Sequence, residues 1–206
     1  MKKLNLSRRA VLQSIAYGSA LSVAASIPGI AVSASGGKLT VRFNRDPDSL
    51  DPGYYVGGHP DNDINWACMP SLVQYEYVDG MAVWGKTAYV ERVEIVSPTR
   101  IEFTLKSGLM WSNGYGELTA EDVGFTYDRA AESEWKGDYV AYDRTEISDK
   151  YSGAIILKKP FSPFMTQTLC SGTGVIISKK ATEAVGGKFA NEVPATCGPY
   201  VMEWKQ

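Results

Sequence analysis

Between Arg100 and Ala131 the chain reads RIEFTLKSGLMWSNGYGELTAEDVGFTYDRAA, and its periodicity passes there from strand to turn to helix. Ile101, Phe103 and Leu105 alternate with Glu102, Thr104 and Lys106, which predicts a strand with one buried face. Ser107-Gly108, Asn113-Gly114 and Gly116 follow, residues suited to the positive φ of tight turns. Thr119 then precedes Val123, Tyr127 and Ala130 at helical spacing, with Asp122 three residues on. That pattern is a capping box, in which the Thr119 side chain and the Asp122 side chain each take the other residue's amide hydrogen. Such a cap is worth about 0.5–2 kcal/mol, so the helix start is well fixed.

The rest of the chain has the composition of a folded protein, with 44% hydrophobic and 11% aromatic residues in 206. Its charge is unevenly spread. Residues 1–34 hold Lys2, Lys3, Arg8 and Arg9 and no acid; without them 17 basic residues face 23 acidic ones, a net −6. An acidic surface argues against a nucleic-acid partner. There is no phosphate-binding glycine loop and no metal-ligand spacing, and the sole histidine is His59. No cofactor is expected.

Residues 1–34 have the three parts of an export signal: a basic start, a mildly apolar stretch over Ala10–Ala25, and small residues ending at Ala34. Ser7-Arg8-Arg9-Ala10-Val11-Leu12 resembles the twin-arginine motif; a general secretory signal with an accidental Arg pair is the alternative. Either reading delivers the chain to the periplasm, cleaved near Ala34. Beyond it, Lys38–Asn44 alternates as a strand, and two Asp-Pro steps (Asp46-Pro47, Asp51-Pro52) mark a turn-rich loop. A helix capped by Asp61 or Asn62 would carry Ile64, Ala67, Cys68 and Leu72 inward. Strands are expected at Leu72–Tyr77, Val90–Val96, Ile101–Leu105, Ala154–Lys158 and Gly174–Ser178. Helices are expected after Thr119, at Ser162–Leu169 with Pro163 first, and at Lys179–Val185, stopped by Gly186-Gly187. Glu132–Tyr151 shows no period and reads as irregular.

Three groups of residues resemble one family when taken in order. They are the strand followed by Asp46-Pro47-Asp48-Ser49-Leu50-Asp51-Pro52, then L-K-S-G, M-W-S-N-G and L-T-A-E-D-V-G-F-T-Y-D-R-A over 105–130, and then L-K-K-P-F-S-P-F, V-I-I-S-K-K-A and C-G-P-Y-V-M-E-W over 157–204. They are similar to the signatures of the family 5 extracytoplasmic solute-binding proteins, the dipeptide- and oligopeptide-binding components of ABC importers. Leu72–Gly80 resembles a further family segment, whereas Trp84–Tyr89 replaces its usual P-x-L-A-x-x-W run. The resemblance implies a mixed α/β fold of the periplasmic binding protein type II. It would be present as the first lobe only, with a core at 35–72 and 155–206 and an inserted subdomain at 73–154. Family members are more than twice this length, so the chain is expected to be the front half of a two-lobed clamp, binding weakly by itself.

The same resemblance places ligand beside Val56, Gly57, Gly58 and His59, with Tyr54 and Tyr55 either walling the pocket or packing, and beside a second loop at Ser171, Gly172 and Thr173. Trp111 is expected to pack, and Glu121-Asp122 to complement a helix start rather than catalyse. Three cysteines in an oxidising compartment leave a Cys170–Cys197 disulfide open, with Cys68 left over. The implied partners are a peptide or other small solute, the permease subunits of an inner-membrane transporter, and the export machinery. Weighed against this are a degenerate remnant and a secreted hydrolase using Glu121, Asp122 or His59, for which no nucleophile motif exists.

Overall fold

A computed structural model describes residues 41–55, 57, 58 and 60–203. The export segment with Arg8 and Arg9, residues 35–40, Val56, His59 and Trp204 fall outside the described residues. The chain divides after Arg42 into two units, and every element below belongs to the second. In chain order they are helix α1 (Asp61–Cys68), strands β1 (Val73–Val78), β2 (Met81–Lys86), β3 (Val90–Ser97) and β4 (Arg100–Leu105), and helix α2 (Ala120–Ala131). Strands β5 (Tyr142–Ile147) and β6 (Ser152–Leu157), a π-helical turn (Phe164–Leu169), a short 3-10 turn (Gly172–Gly174) and helix α3 (Lys179–Ala184) complete the order.

The strand–turn–helix run folds as its pattern dictates. Residues of β4 alternate between half-buried and buried, with Ile101, Phe103 and Leu105 inward. Pro98-Thr99 turns β3 into β4, and the antiparallel order β3-β4-β6-β5 makes a four-stranded sheet. Helix α2 packs against β5 and brings Val123, Tyr127 and Ala130 into the core that holds Phe103, Ile155 and Leu157. Gly153 lies opposite Phe103, and a Cβ there would come 2.8 Å from the Phe103 ring and 2.6 Å from the Glu146 carbonyl oxygen. The outer face carries charge instead. Arg92 meets Glu102 at 3.5 Å, Arg100 meets Glu102 at 3.2 Å and Glu146 at 2.7 Å, and Glu146 also pairs with Arg144.

The capping box is formed. The Thr119 N–H donates to Asp122 Oδ2 at 2.9 Å, and both arms of the box are present. The same buried carboxylate accepts from the Trp111 indole at 3.2 Å and from the Lys179 N–H at 2.8 Å. Asp122 therefore joins the starts of α2 and α3. Ser178 caps α3 through the Ala181 N–H at 3.2 Å, and Gly186 and Gly187 end it with φ of 89° and 86°.

Several expectations need correction. Val41–Phe43, the described part of the first expected strand, is irregular. Helix α1 begins at Asp61 without a side-chain cap, and it turns Asp61, Asn65 and Cys68 inward while Ile64 is half-buried. The strand after Leu72 is one arm of a hairpin: Asp79 and Gly80, at φ 50° and 79°, turn it into β2, which the sequence reading missed. Glu132–Tyr151 contains β5, whose polar run YDRTEI hides its strand character because only Tyr142 is fully buried. Of Ser162–Leu169 only Phe164–Leu169 winds, as a single π turn, with the Cys170 N–H bonded to the Met165 carbonyl at 3.1 Å. Gly174–Ser178 is buried but is not a strand: only Val175 makes a bridge, to Ser71, while Ile177 bonds the Thr126 side chain.

Candidate functional site

The loop between Asn44 and α1 is held by two buried carboxylates. Asp51 receives Arg129 through Nη1 at 2.7 Å and Nη2 at 2.5 Å, and also accepts from the N–H groups of Gly53 at 3.0 Å and Phe189 at 3.2 Å. Arg129 spends its Nε on the Gly187 carbonyl at 3.1 Å. This node joins the Asp-Pro loop, α2 and the turn after α3, so the first two sequence signatures meet in space. At the other end Arg45 reaches Asp61 at 2.9 Å and Asp48 at 2.8 Å. That bond to Asp61 is the main reason the Arg45 guanidinium holds its proton more strongly than usual.

Between these anchors lie the expected ligand residues. Tyr54 is half-buried under two cations, with Lys188 Nζ 3.6 Å and the Arg129 guanidinium 4.9 Å from its ring centre. Tyr55 is buried against Trp135, ring centres 5.3 Å apart, and its carbonyl accepts from the Trp135 indole at 3.0 Å. Burial above all, then Asp138 and Asp61, raises the Tyr55 phenol and keeps it protonated. Gly57 and Gly58 adopt φ of 88° and 84°; a Cβ on Gly57 would press to 3.1 Å of the Trp135 ring, whereas Gly58 faces open space.

The second loop is built from below by tyrosines. Tyr139 donates to the Thr173 carbonyl at 2.8 Å, and Tyr127 to the Gly174 carbonyl at 3.4 Å. Their rings meet those of Tyr142 and Phe164 edge-on, at centre distances of 6.0–6.4 Å. Ser171 Oγ donates to the Thr168 carbonyl at 2.7 Å and accepts the Thr173 N–H at 3.3 Å. The two loops converge at Gly172, where a Cβ would lie 2.5 Å from the Tyr55 hydroxyl and 1.9 Å from Asn62 Oδ1. Asn62 Oδ1 is buried with no hydrogen-bond partner.

The structure thus brings Tyr55 and Gly172 together, but it encloses them. Tyr55, Gly172 and Thr173 are buried, so they shape the site, while Gly57, Gly58, Tyr54 and Ser171 keep surface. Trp135, Tyr139 and Asn62 were missed by sequence reasoning; the aromatic run around Trp135 and Tyr139 carried the signal without a period to place it. What the arrangement offers is main chain and aromatic surface. Two grooves lie elsewhere. One of about 560 Å³ is lined by Glu121, Phe125, Asp128 and Ile147, and one of about 290 Å³ by Trp111, Glu117, Ser178 and Glu183. Trp111 is buried and packs, as expected, and Asp122 is occupied by the Trp111 indole, the Thr119 N–H and hydroxyl, and the Lys179 N–H.

Cys68, Cys170 and Cys197 are buried free thiols, so the structure holds neither the Cys170–Cys197 bridge nor another, and the Cys197 N–H donates to the Cys68 carbonyl. Burial pushes the Cys170 thiol up to about 11, as it does Cys197. Among the described residues no group of three His, Cys, Asp or Glu could hold a metal, and no helix is long and apolar enough to cross a membrane.

Comparison with solved structures places this architecture. The chain is similar to the binding protein MoaA of A. tumefaciens R10, solved with mannopinic acid, at 28% identity and a TM-score of 0.62 over 73% of this chain. It shares its fold with the periplasmic murein tripeptide-binding protein MppA in its unliganded open form (20% identity, TM-score 0.64, 80% of this chain). The same holds for the oligopeptide-binding protein AppA of Bacillus subtilis, solved with a nonapeptide (20%, 0.63, 79%). The chain spans about a third of the length of these structures, 31%, 35% and 32% respectively. No curated protein matches it. Residues 86–206, more than half of the chain, match the model of the bacterial extracellular solute-binding proteins, family 5. With the mixed α/β fold and the signature residues meeting at Asp51 and Arg129, the chain belongs to the family 5 bacterial extracellular solute-binding proteins.

Proposed function

We propose that this chain serves as the periplasmic capture component of an ABC importer for peptides or peptide-like solutes, and that its described residues form one wall of the binding cleft. Membership of the solute-binding family carries the reading. The Gly57-Gly58 and Ser171–Thr173 loops supply the solute-facing surface, main chain at 57–58 running beside the ligand, with Val56 and His59 in the same loop. The core subdomain comprises 35–72 and 155–206 and the inserted one 73–154; β3, β4, β5 and α2 fall within the inserted range, and β6, which lies between β4 and β5 in their sheet, runs across its end. Residues 1–34, with Arg8 and Arg9, direct export and are removed near Ala34. Delivery to permease subunits completes the role, with no bond chemistry.

One observation favours a second solute class. The structure at 28% identity was solved with mannopinic acid, whereas the peptide-binding matches stand at 18–21%. A sugar–amino acid conjugate is therefore the alternative cargo. Uptake by a strain with and without the gene decides between them. Lost uptake of labelled di- or oligopeptides supports the first reading and lost uptake of the conjugate the second. Unchanged uptake of both, with the protein retained in the cytoplasm, overturns the proposal.

A further inference from the structure

Spacing alone does not pair the cysteines, but the fold sets two of them side by side. The Cys197 N–H donates to the Cys68 carbonyl at 3.2 Å, and the Gly198 N–H donates to the same carbonyl at 2.8 Å. The bond lengths on either side of one such hydrogen bond limit the two Cα atoms to about 7 Å, a range that overlaps the roughly 4.4–6.8 Å that a disulfide spans. The approach depends on Gly198, where a Cβ would lie 2.6 Å from the Cys68 carbonyl carbon. Both thiols also lie within electrostatic range of one tyrosine, Tyr89, whereas Cys170 is in range of Tyr75 and Tyr127. Cys170, at the end of the π turn, therefore occupies a different environment.

We propose that Cys68 and Cys197 are a disulfide-forming pair, closed after export, which staples the end of α1 to the 195–203 segment and leaves Cys170 as the free thiol. The staple would act on the proposed site, because α1 carries Asn62 and Asp61 against the Gly172 and Arg45 contacts. The 195–203 segment is also tied through Thr196 to Ser112, at 2.8 and 2.9 Å. In the reaction two S–H bonds break and one S–S bond forms. The two protons and two electrons pass to a small disulfide such as glutathione disulfide, which departs as two thiols. Burial raises both cysteines, Cys197 to about 11, so the thiolate is scarce in the closed fold.

The test refolds the reduced 206-residue chain in a glutathione redox buffer, alkylates it with N-ethylmaleimide under denaturing conditions, and maps the peptides by mass. The expected product is a monomer with one adduct, on Cys170, and a linked Cys68–Cys197 peptide pair. Cys170→Ser should form the same bridge with no adduct, and Cys68→Ser should keep two free thiols. Three adducts on the refolded monomer, or a bridge that includes Cys170, would overturn the pairing. Closure in the cell rests on the export reading, and the two failures separate. A bridge made in the redox buffer but absent from protein isolated from cells would refute closure after export and leave the pairing standing.

Discussion

Replacing Arg129 by Met is the sharpest probe of how the first two signatures are joined. The substitution keeps most of the apolar stem and removes the guanidinium, whose side chain is 12% exposed, from a carboxylate that is 0% exposed. Asp51 would keep only the N–H groups of Gly53 and Phe189, and the Gly187 carbonyl would lose its donors from Nε and Nη2 at 3.1 and 3.0 Å. Leaving one member of a buried pair without its partner costs about 3–5 kcal/mol. For a chain of this size that is a fall in Tm of about 6–20 °C. Arg92 supplies the control. Its pair with Glu94 is 52% and 56% exposed, so Arg92→Met should change stability by at most about 1 kcal/mol. Urea unfolding followed by tryptophan fluorescence measures both. Adding Asp51→Asn to Arg129→Met removes the stranded charge and should recover part of the loss. A cost below about 1 kcal/mol for Arg129→Met, or no recovery in the double variant, would show that the node is not the clasp described.

Three further outcomes are expected. Asp122→Ala removes a helix cap together with the acceptor for the Trp111 indole and the Lys179 N–H, and should cost about 2–4 kcal/mol in the same urea assay, more than an ordinary cap. Gly174→Ala places a Cβ 2.0 Å from the Leu169 carbonyl oxygen, a main-chain atom that cannot rotate away; it should cost about 1–3 kcal/mol or more by thermal melting. Glu117 is held at about 2, first by the Lys150 ammonium, then by the Gly108 N–H and the Tyr151 hydroxyl. A carboxylate depressed in the folded state contributes stability that is full above its ordinary value of 4.5 and is lost as pH falls toward 2. Glu117→Gln should therefore flatten the dependence of Tm on pH across that window and leave the slope above pH 6 unchanged. An unaltered acid slope would remove Glu117 from the account.

Much of the fold was legible where local signals agree. The β4 alternation, the Thr119–Asp122 box and the Gly186-Gly187 stop each rest on neighbours in sequence, and each appears in place. The losses fall where distant partners decide. Strand β5 reads as polar because its outward side chains belong to a charge network with Arg100, on another strand. The segment Gly174–Ser178 looks like a strand because it is apolar, yet its polar groups are taken by the Thr126 hydroxyl and by Pro70-Ser71. At the candidate site the resemblance chose two loops, and the fold brings them to one glycine. Nothing local announces that Trp135 braces Tyr55 or that Tyr139 holds the Thr173 carbonyl, since each bond spans tens of residues. The cysteines show the same limit: the contact between Cys68 and Cys197 arises only once α1 and the 195–203 segment are in place.

The β1–β2 hairpin has a consequence for how the molecule meets its own copies. The outer strands of the four-stranded sheet display Arg92, Glu94, Arg144 and Glu146, side chains that discourage another chain from adding a strand. The hairpin tip is guarded by Asp79 alone, beside Tyr77, Val78 and Met81, which are 78%, 52% and 69% exposed. At high concentration, clustering should therefore begin at the hairpin and spare the sheet. A lysine at position 77 or 81 should raise the solubility limit, whereas one more lysine on β3 should not.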